Sequence, residues 1–176
     1  SLVREILDVA RFAPSGTNTQ PWQLHVVTGA VRNAIAANVQ YAAEHEREAH
    51  RGLYEYYPTQ WRDPYLARRR ACGWGLYGVL GIQKGDRARM LAQELKNFDF
   101  FGAPVGFFIF IDRDLGQGSL MDCGMFMQNL MLAALAKGLA TCPQAAWVPY
   151  QALVRSHLNL PDSLMLLSGM ALGYAN

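Results

Sequence analysis

The sequence predicts an α+β fold, a mixed sheet wrapped by helices, and three observations predict it. Helical spacings and short β-branched or aromatic runs both occur, without the regular strand–helix rhythm of a parallel α/β chain. One segment, Ser119–Gly138, is apolar on nearly every side, as in a helix that is covered all round. The 176 residues, 51% of them hydrophobic, suit a single domain with a sizeable core.

Each element follows from local chemistry. Leu2, Ile6, Val9, Ala10 and Ala13 repeat at helical spacing behind Ser1 as N-cap, so Ser1–Arg11 is an amphipathic helix that Pro14 stops. Ser15–Thr19 has the Ser, Gly and Asn content of a loop. Trp22–Thr28 alternates as a strand, Gly29 ends it, and a second helix spans about Ala30–Ala49. Residues 50–64 form an aromatic, proline-punctuated loop carrying Tyr54, Tyr56, Tyr57, Pro58, Trp61 and Pro64. It is either a packed surface loop or a lid over a flat substrate.

Tyr65–Leu80 is helical, with Gly81 near its end. Its Arg68, Arg69 and Arg70 point in different directions, which suits solvated or interface charges better than one anion clamp. Asp86–Phe98 is a short helix, Val105–Ile111 a continuous apolar strand of the buried kind, and Asp112–Gly118 a polar turn. So small a domain has little material to surround Ser119–Gly138, and a subunit interface is the expected cover; Gly138 is its C′ glycine. Leu139–Trp147 passes from short strand to loop, Pro149–Leu158 is a short helix with proline at its start, and Leu164–Leu172 is the last strand.

Composition narrows the function. Sixteen basic residues nearly balance 14 acidic ones, a net charge of +2, which is not the basic excess of a nucleic-acid binder. Cys72, Cys123 and Cys142 are odd in number and lack C-x-x-C spacing, so neither a disulfide framework nor a zinc site is expected; reduced thiols of a cytoplasmic protein are. No leader is visible, and the longest uncharged apolar run, Cys123–Ala136, falls short of the ~18 residues of a membrane span. His25, His45, His50 and His157 form no metal-binding pair, and P-loop, zincin, nucleophile-elbow and dinucleotide motifs are absent.

What is left for chemistry is the loop from Ser15 to Trp22. It offers free backbone N–H groups and two side-chain amides, Asn18 and Gln20, each both donor and acceptor. Such amides suit the pyrimidine edge or ribityl hydroxyls of a flavin, and they equally suit capping of the loop itself.

The run Ala13-Pro14-Ser15-Gly16-Thr17-Asn18-Thr19-Gln20-Pro21-Trp22, between a helix and a strand, resembles the signature of the FMN-dependent nitroreductase family. Asn97, ahead of Ala103-Pro104, resembles the family asparagine that contacts the flavin ring system. Gly138–Pro143 resembles the end of the family's central helix and the turn after it, and Gly173-Tyr174 the end of its last core strand. Pro143, Gln144, Ala145 and Ala146 resemble the loop whose backbone N–H groups face flavin N5. The resemblance covers nearly the whole chain, taken as one domain over residues 1–176. It implies a mainly antiparallel sheet and a homodimer with the long helix at its interface, each of two FMN groups touched by both chains. Pro14, Ser15, Gly16, Asn18 and Gln20 would form one part of that flavin site, with Asn97 and Pro143–Ala146 the others. In the family a phosphate-gripping Arg-x-Ser-x-Arg segment precedes this region and an arm to the partner follows the last strand; neither lies within Ser1–Asn176, so an excised domain or fragment is expected.

The implied activity is hydride transfer from NAD(P)H to FMN, followed by reduction of a nitroaromatic, quinone or similar small aromatic acceptor in a ping-pong scheme. No side chain need act as acid or nucleophile, so no catalytic residue is named. The 54–61 loop is a candidate to line the acceptor pocket; Phe126 is another, or belongs to the dimer core. Another flavin reaction on the same fold, such as dehalogenation or dehydrogenation, a non-catalytic flavin-binding protein and a thiol enzyme using Cys72 or Cys142 stand as alternatives.

Overall fold

A computed structural model describes residues 1–175 of the chain. Among the described residues, four strands form one sheet of order β1-β2-β4-β3: β1 (Gln23–Thr28), β2 (Val105–Asp112), β3 (Ala140–Gln144) and β4 (Leu164–Gly173). All three ladders are antiparallel, so the mainly antiparallel character expected of the sheet holds throughout. Six helices accompany it: α1 (Leu2–Ala10), α2 (Gly29–His45), α3 (Tyr65–Val79), α4 (Arg87–Leu95), α5 (Gln117–Ala136) and α6 (Gln151–Leu158).

The sheet is the middle of three layers. On β2, Phe108 and Phe110 face α2, α6 and Trp147, while Phe107 and Ile109 face α1 and α5. That is why β2 reads as a continuous apolar run rather than an alternating one: both of its faces are covered. β4 is likewise central, and every residue from Leu164 to Leu172 is buried.

Helix ends agree with the sequence at most positions. Pro149 lies in a 3-10 turn, Ala145–Tyr150, ahead of α6 rather than in its first turn. The second helix stops at His45, short of Ala49, and a separate 3-10 turn follows at Arg47–Ala49. Ser1 occupies the N-cap of α1, yet its hydroxyl makes no capping bond; its carbonyl accepts the Glu5 N–H. α5 ends as the sequence predicts. Gly138 takes φ +74°, its N–H reaches the Leu135 carbonyl, and the Leu139 N–H reaches that of Ala134. These paired bonds form a Schellman motif, and they turn the chain directly into β3.

Within one chain α5 is covered on one face only. Cys123, Phe126, Leu130, Ala133 and Ala134 are buried, whereas Met121 is 71%, Leu132 54% and Leu135 68% exposed. α5 is also long and apolar enough to cross a membrane, unlike the shorter run seen in the sequence. Its buried face packs on α1 and the sheet as a core helix does. α3 stands apart: no residue on it is buried, and Tyr65, Trp74, Leu76 and Val79 lie exposed along it.

Candidate functional site

The candidate site is built where β3 gives way to the 3-10 turn Ala145–Tyr150. The Gln144 N–H donates to Ser168 Oγ at 3.3 Å, and Ser168 Oγ in turn donates to the Gly169 carbonyl at 2.7 Å. Trp147, fully buried, anchors the turn against Phe98, Phe100 and Phe108. Its ring packs closely on β4 because Gly169 has no Cβ, which would otherwise stand 2.3 Å from Trp147 Cδ1. Among the described residues no protein acceptor takes the N–H of Ala145 or Ala146, so two backbone donors stand free at the start of the turn.

Asn97 meets this turn through Gln144. The 3-10 segment Lys96–Gly102 follows α4 and carries Asn97, whose carbonyl accepts from Gln144 Nε2 at 2.6 Å. Asn97 Nδ2 donates to the Glu94 carbonyl at 2.9 Å, which orients the carboxamide. Gln144 is 2% exposed and its Oε1 has no partner in the protein. A buried amide oxygen left unpaired is costly, and a ligand N–H is the natural partner for it.

Asn97, Pro143, Gln144, Ala145 and Ala146 all line one cavity of about 660 Å³. A second cavity of about 370 Å³ shares Tyr54, Tyr56, Pro143 and Ala145 with it, and Leu120, Cys123, Met127 and Met131 close its apolar side. These volumes are those of small-molecule sites. Two free N–H groups and an unpaired carboxamide oxygen, in a cavity walled by both aromatic and charged side chains, fit a planar ring bearing both acceptors and N–H groups, as a flavin does.

The other predicted part of the site lies elsewhere. Pro14, Gly16, Asn18 and Gln20 are exposed and Ser15 half-buried, and no residue of this loop lines either cavity. The loop makes a 3-10 turn, Gly16–Asn18, held inside by the Gln20 N–H donating to Ser15 Oγ at 2.9 Å and Gln20 Nε2 donating to Asn18 Oδ1 at 3.0 Å. One chain thus brings together two of the three parts read from the sequence.

The aromatic loop serves as packed loop and as wall. Tyr54 donates to the Leu167 carbonyl at 2.6 Å, and burial pushes its phenol up to about 12. Tyr56 and Tyr57 pack edge to face beside it and face the larger cavity. Phe126 is buried within the chain, stacked on Trp22 at 4.9 Å, and lines neither of these cavities; it borders a separate cavity beside α1 with Trp22 and Leu24.

Sequence reasoning passed over Arg47, His50, Arg51 and Glu94, which line the larger cavity. Arg47 pairs with Glu94 at 3.0 Å, and that bond raises the guanidinium pKa further. His50 packs on Tyr150 at 5.1 Å with its Nε2 buried and unbonded. The only local signal was the switch from a charged helix end to an aromatic loop. Cys142, beside Pro143, has its thiol pushed up by burial, which weakens it as a nucleophile.

Known proteins place this geometry in context. A family model described as the nitroreductase family matches residues 1–174. A 4-nitrobenzoate reductase of Pseudomonas putida is 41% identical over 175 residues, covering 99% of this chain and 76% of the relative. A nitrobenzene nitroreductase of Ectopseudomonas oleovorans is 39% identical over 178 residues, covering 99% and 77%. The crystal structure of the FMN and NADPH-dependent nitroreductase NfnB from Sphigopyxis sp. strain HMH superposes with a TM-score of 0.96 at 41% identity, covering 99% of this chain and 78% of that one.

Proposed function

The chain belongs to the nitroreductase family, and from that premise we propose that it is an FMN-dependent oxidoreductase that takes hydride from NAD(P)H and reduces nitroaromatic, quinone or related electron-poor acceptors in a ping-pong cycle. The observation that carries this reading is the convergence of Asn97, Gln144 and the free N–H groups of Ala145 and Ala146 on one cavity. Relatives at about this level of similarity act on nitrobenzoate and nitrobenzene, and the superposed NfnB depends on FMN and NADPH.

FMN, when bound, supplies the redox chemistry, accepting two electrons from the nicotinamide and passing them to the acceptor. The chain's own residues bind and orient. The Ala145 and Ala146 N–H groups, fixed by the turn, would serve as preorganised donors to a bound group that gains electron density. Gln144 Oε1 would accept an N–H of the bound group, and Asn97 is held beside it by the Gln144–Asn97 bond. Pro143 offers a flat apolar surface. Tyr54 and Tyr56 bound the space for a flat acceptor, each worth roughly 0.5–1.5 kcal/mol when well placed. No side chain is required as acid, base or nucleophile.

The reading includes a homodimer. The exposed Met121, Met125, Leu132 and Leu135 lie on one face of α5 and form an apolar strip that a second copy would cover. The exposed loop Pro14–Gln20, outside the cavities of its own chain, is the wall that a second copy contributes. Three unpaired cysteines support a cytoplasmic setting.

The test is the visible spectrum of the purified protein. Flavin bands that bleach on anaerobic addition of NADH or NADPH, and return with a nitroaromatic, support the reading. A colourless protein that takes up no FMN overturns it.

A further inference from the structure

Asp122 lies on α5 with only 8% of its surface exposed. Both of its carboxylate oxygens stand 3.2 Å from the Gly16 N–H, a contact between residues 106 apart in the chain. A carboxylate at this depth is tolerated when its hydrogen bonds compensate, and a bond to a charged acceptor is about twice as strong as a neutral one. The dipole of α5 does not explain the residue, since Asp122 lies beyond the first turn of a helix that begins at Gln117.

The loop that receives the bond needs holding. Thr17, Asn18 and Gln20 take φ values of 48°, 59° and 48°, a region that non-glycine residues disfavour. Bonds from the Gln20 N–H to Ser15 Oγ, from Gln20 Nε2 to Asn18 Oδ1, and from the Thr17 and Thr19 hydroxyls to the Gly16 carbonyl are all internal. They set the shape of the loop but not its place. Among the described residues, the Gly16–Asp122 contact is the one hydrogen bond that joins residues 15–20 to another part of the chain. Asp122 is next in sequence to the exposed Met121 but is itself buried, about a quarter turn around α5 from the exposed Met121 and Met125.

We propose that Asp122 is a positioning residue that fixes the Ser15–Gln20 loop against α5 in the pose that meets FMN. The proposal rests on the functional reading above. It assigns Asp122 no contact with the flavin; the residue acts through Gly16.

The experiment compares wild type with Asp122→Leu and Asp122→Asn. Three quantities are read: the Gly16 amide exchange rate by NMR, the FMN dissociation constant, and the visible circular dichroism of bound FMN. Far-UV circular dichroism of the protein without FMN checks folding. Leucine removes the acceptor, and Gly16 exchange should accelerate and the FMN dissociation constant rise by about tenfold each, with altered flavin dichroism. Asparagine keeps a neutral acceptor and should fall between leucine and wild type in all three. If the leucine variant does not fold, asparagine decides alone: about threefold faster exchange together with weaker FMN binding supports the proposal, and wild-type values overturn it. Unchanged Gly16 exchange in a folded leucine variant refutes the tether. Faster exchange with unaltered FMN affinity and dichroism refutes the positioning role while leaving the functional reading intact. A wild type that binds no FMN removes both.

Discussion

Gly169→Ala tests the packing that sets the candidate site. The new Cβ would stand 2.3 Å from Trp147 Cδ1, 2.7 Å from Nε1 and 2.9 Å from Cγ. Ordinary carbon contacts lie at about 3.5–4.0 Å, so ring and strand must part by about an ångström. Neither has room to do so. Trp147 is fully buried, stacked on Phe100 at 4.7 Å and edged by Phe98 at 5.3 Å and Phe108 at 5.0 Å. Gly169 itself lies in β4, between β2 and β3. Overpacking of this kind costs about 1–3 kcal/mol, here at the upper end, while alanine recovers roughly 0.5–1 kcal/mol of the backbone entropy of a strand glycine. The net expectation is a loss of about 2 kcal/mol in urea unfolding followed by far-UV circular dichroism. Because Trp147 shares its turn with Ala145 and Ala146, FMN affinity should fall as well. The loss should shrink on a Trp147→Leu background, where the clashing ring is gone. A loss below about 0.5 kcal/mol, or strict additivity of the two changes, would show that the Trp147 contact does not constrain this strand.

Three further outcomes follow from the site. Ala145→Pro removes a free backbone donor, and FMN affinity or the rate of flavin reduction should drop at least about tenfold; retention of both would end the role given to that N–H. Cys142→Ser should leave NAD(P)H-dependent flavin reduction nearly unchanged, since burial raises the thiol pKa; an inactive but folded variant would restore the thiol-enzyme alternative. Tyr54, pushed up to about 12 by burial, should be missing from the phenol titration near pH 10 when wild type is compared with Tyr54→Phe by ultraviolet absorbance. The sign is that of an acid kept neutral by the fold: its contribution is complete below the unfolded pKa near 10 and is lost as pH rises toward 12, and a Tyr54 that titrates normally would contradict its burial.

Much of this molecule is written in short-range pattern. The run Val105–Ile111 announces a strand covered on both faces, Gly138 announces the end of α5, and the Ala13–Trp22 run announces a loop between helix and strand; each depends on residues within a few positions of one another. The chemistry at Asn97 and Pro143–Ala146 was legible as residue types and through likeness to a family. Their meeting was not. Gln144 reaches the Asn97 carbonyl across 47 residues of chain, and that contact exists only because β3 and the segment after α4 pack on the same buried tryptophan. Tertiary packing alone brought Arg47, His50 and Arg51 to the cavity, turned Phe126 inward onto Trp22, and set the Ser15–Gln20 loop on Asp122 away from the rest of the site. Periodicity tells which face of an element is apolar, because backbone geometry repeats every two or 3.6 residues. It does not tell which distant element covers that face, because that choice is made by shape and volume when all the layers close together.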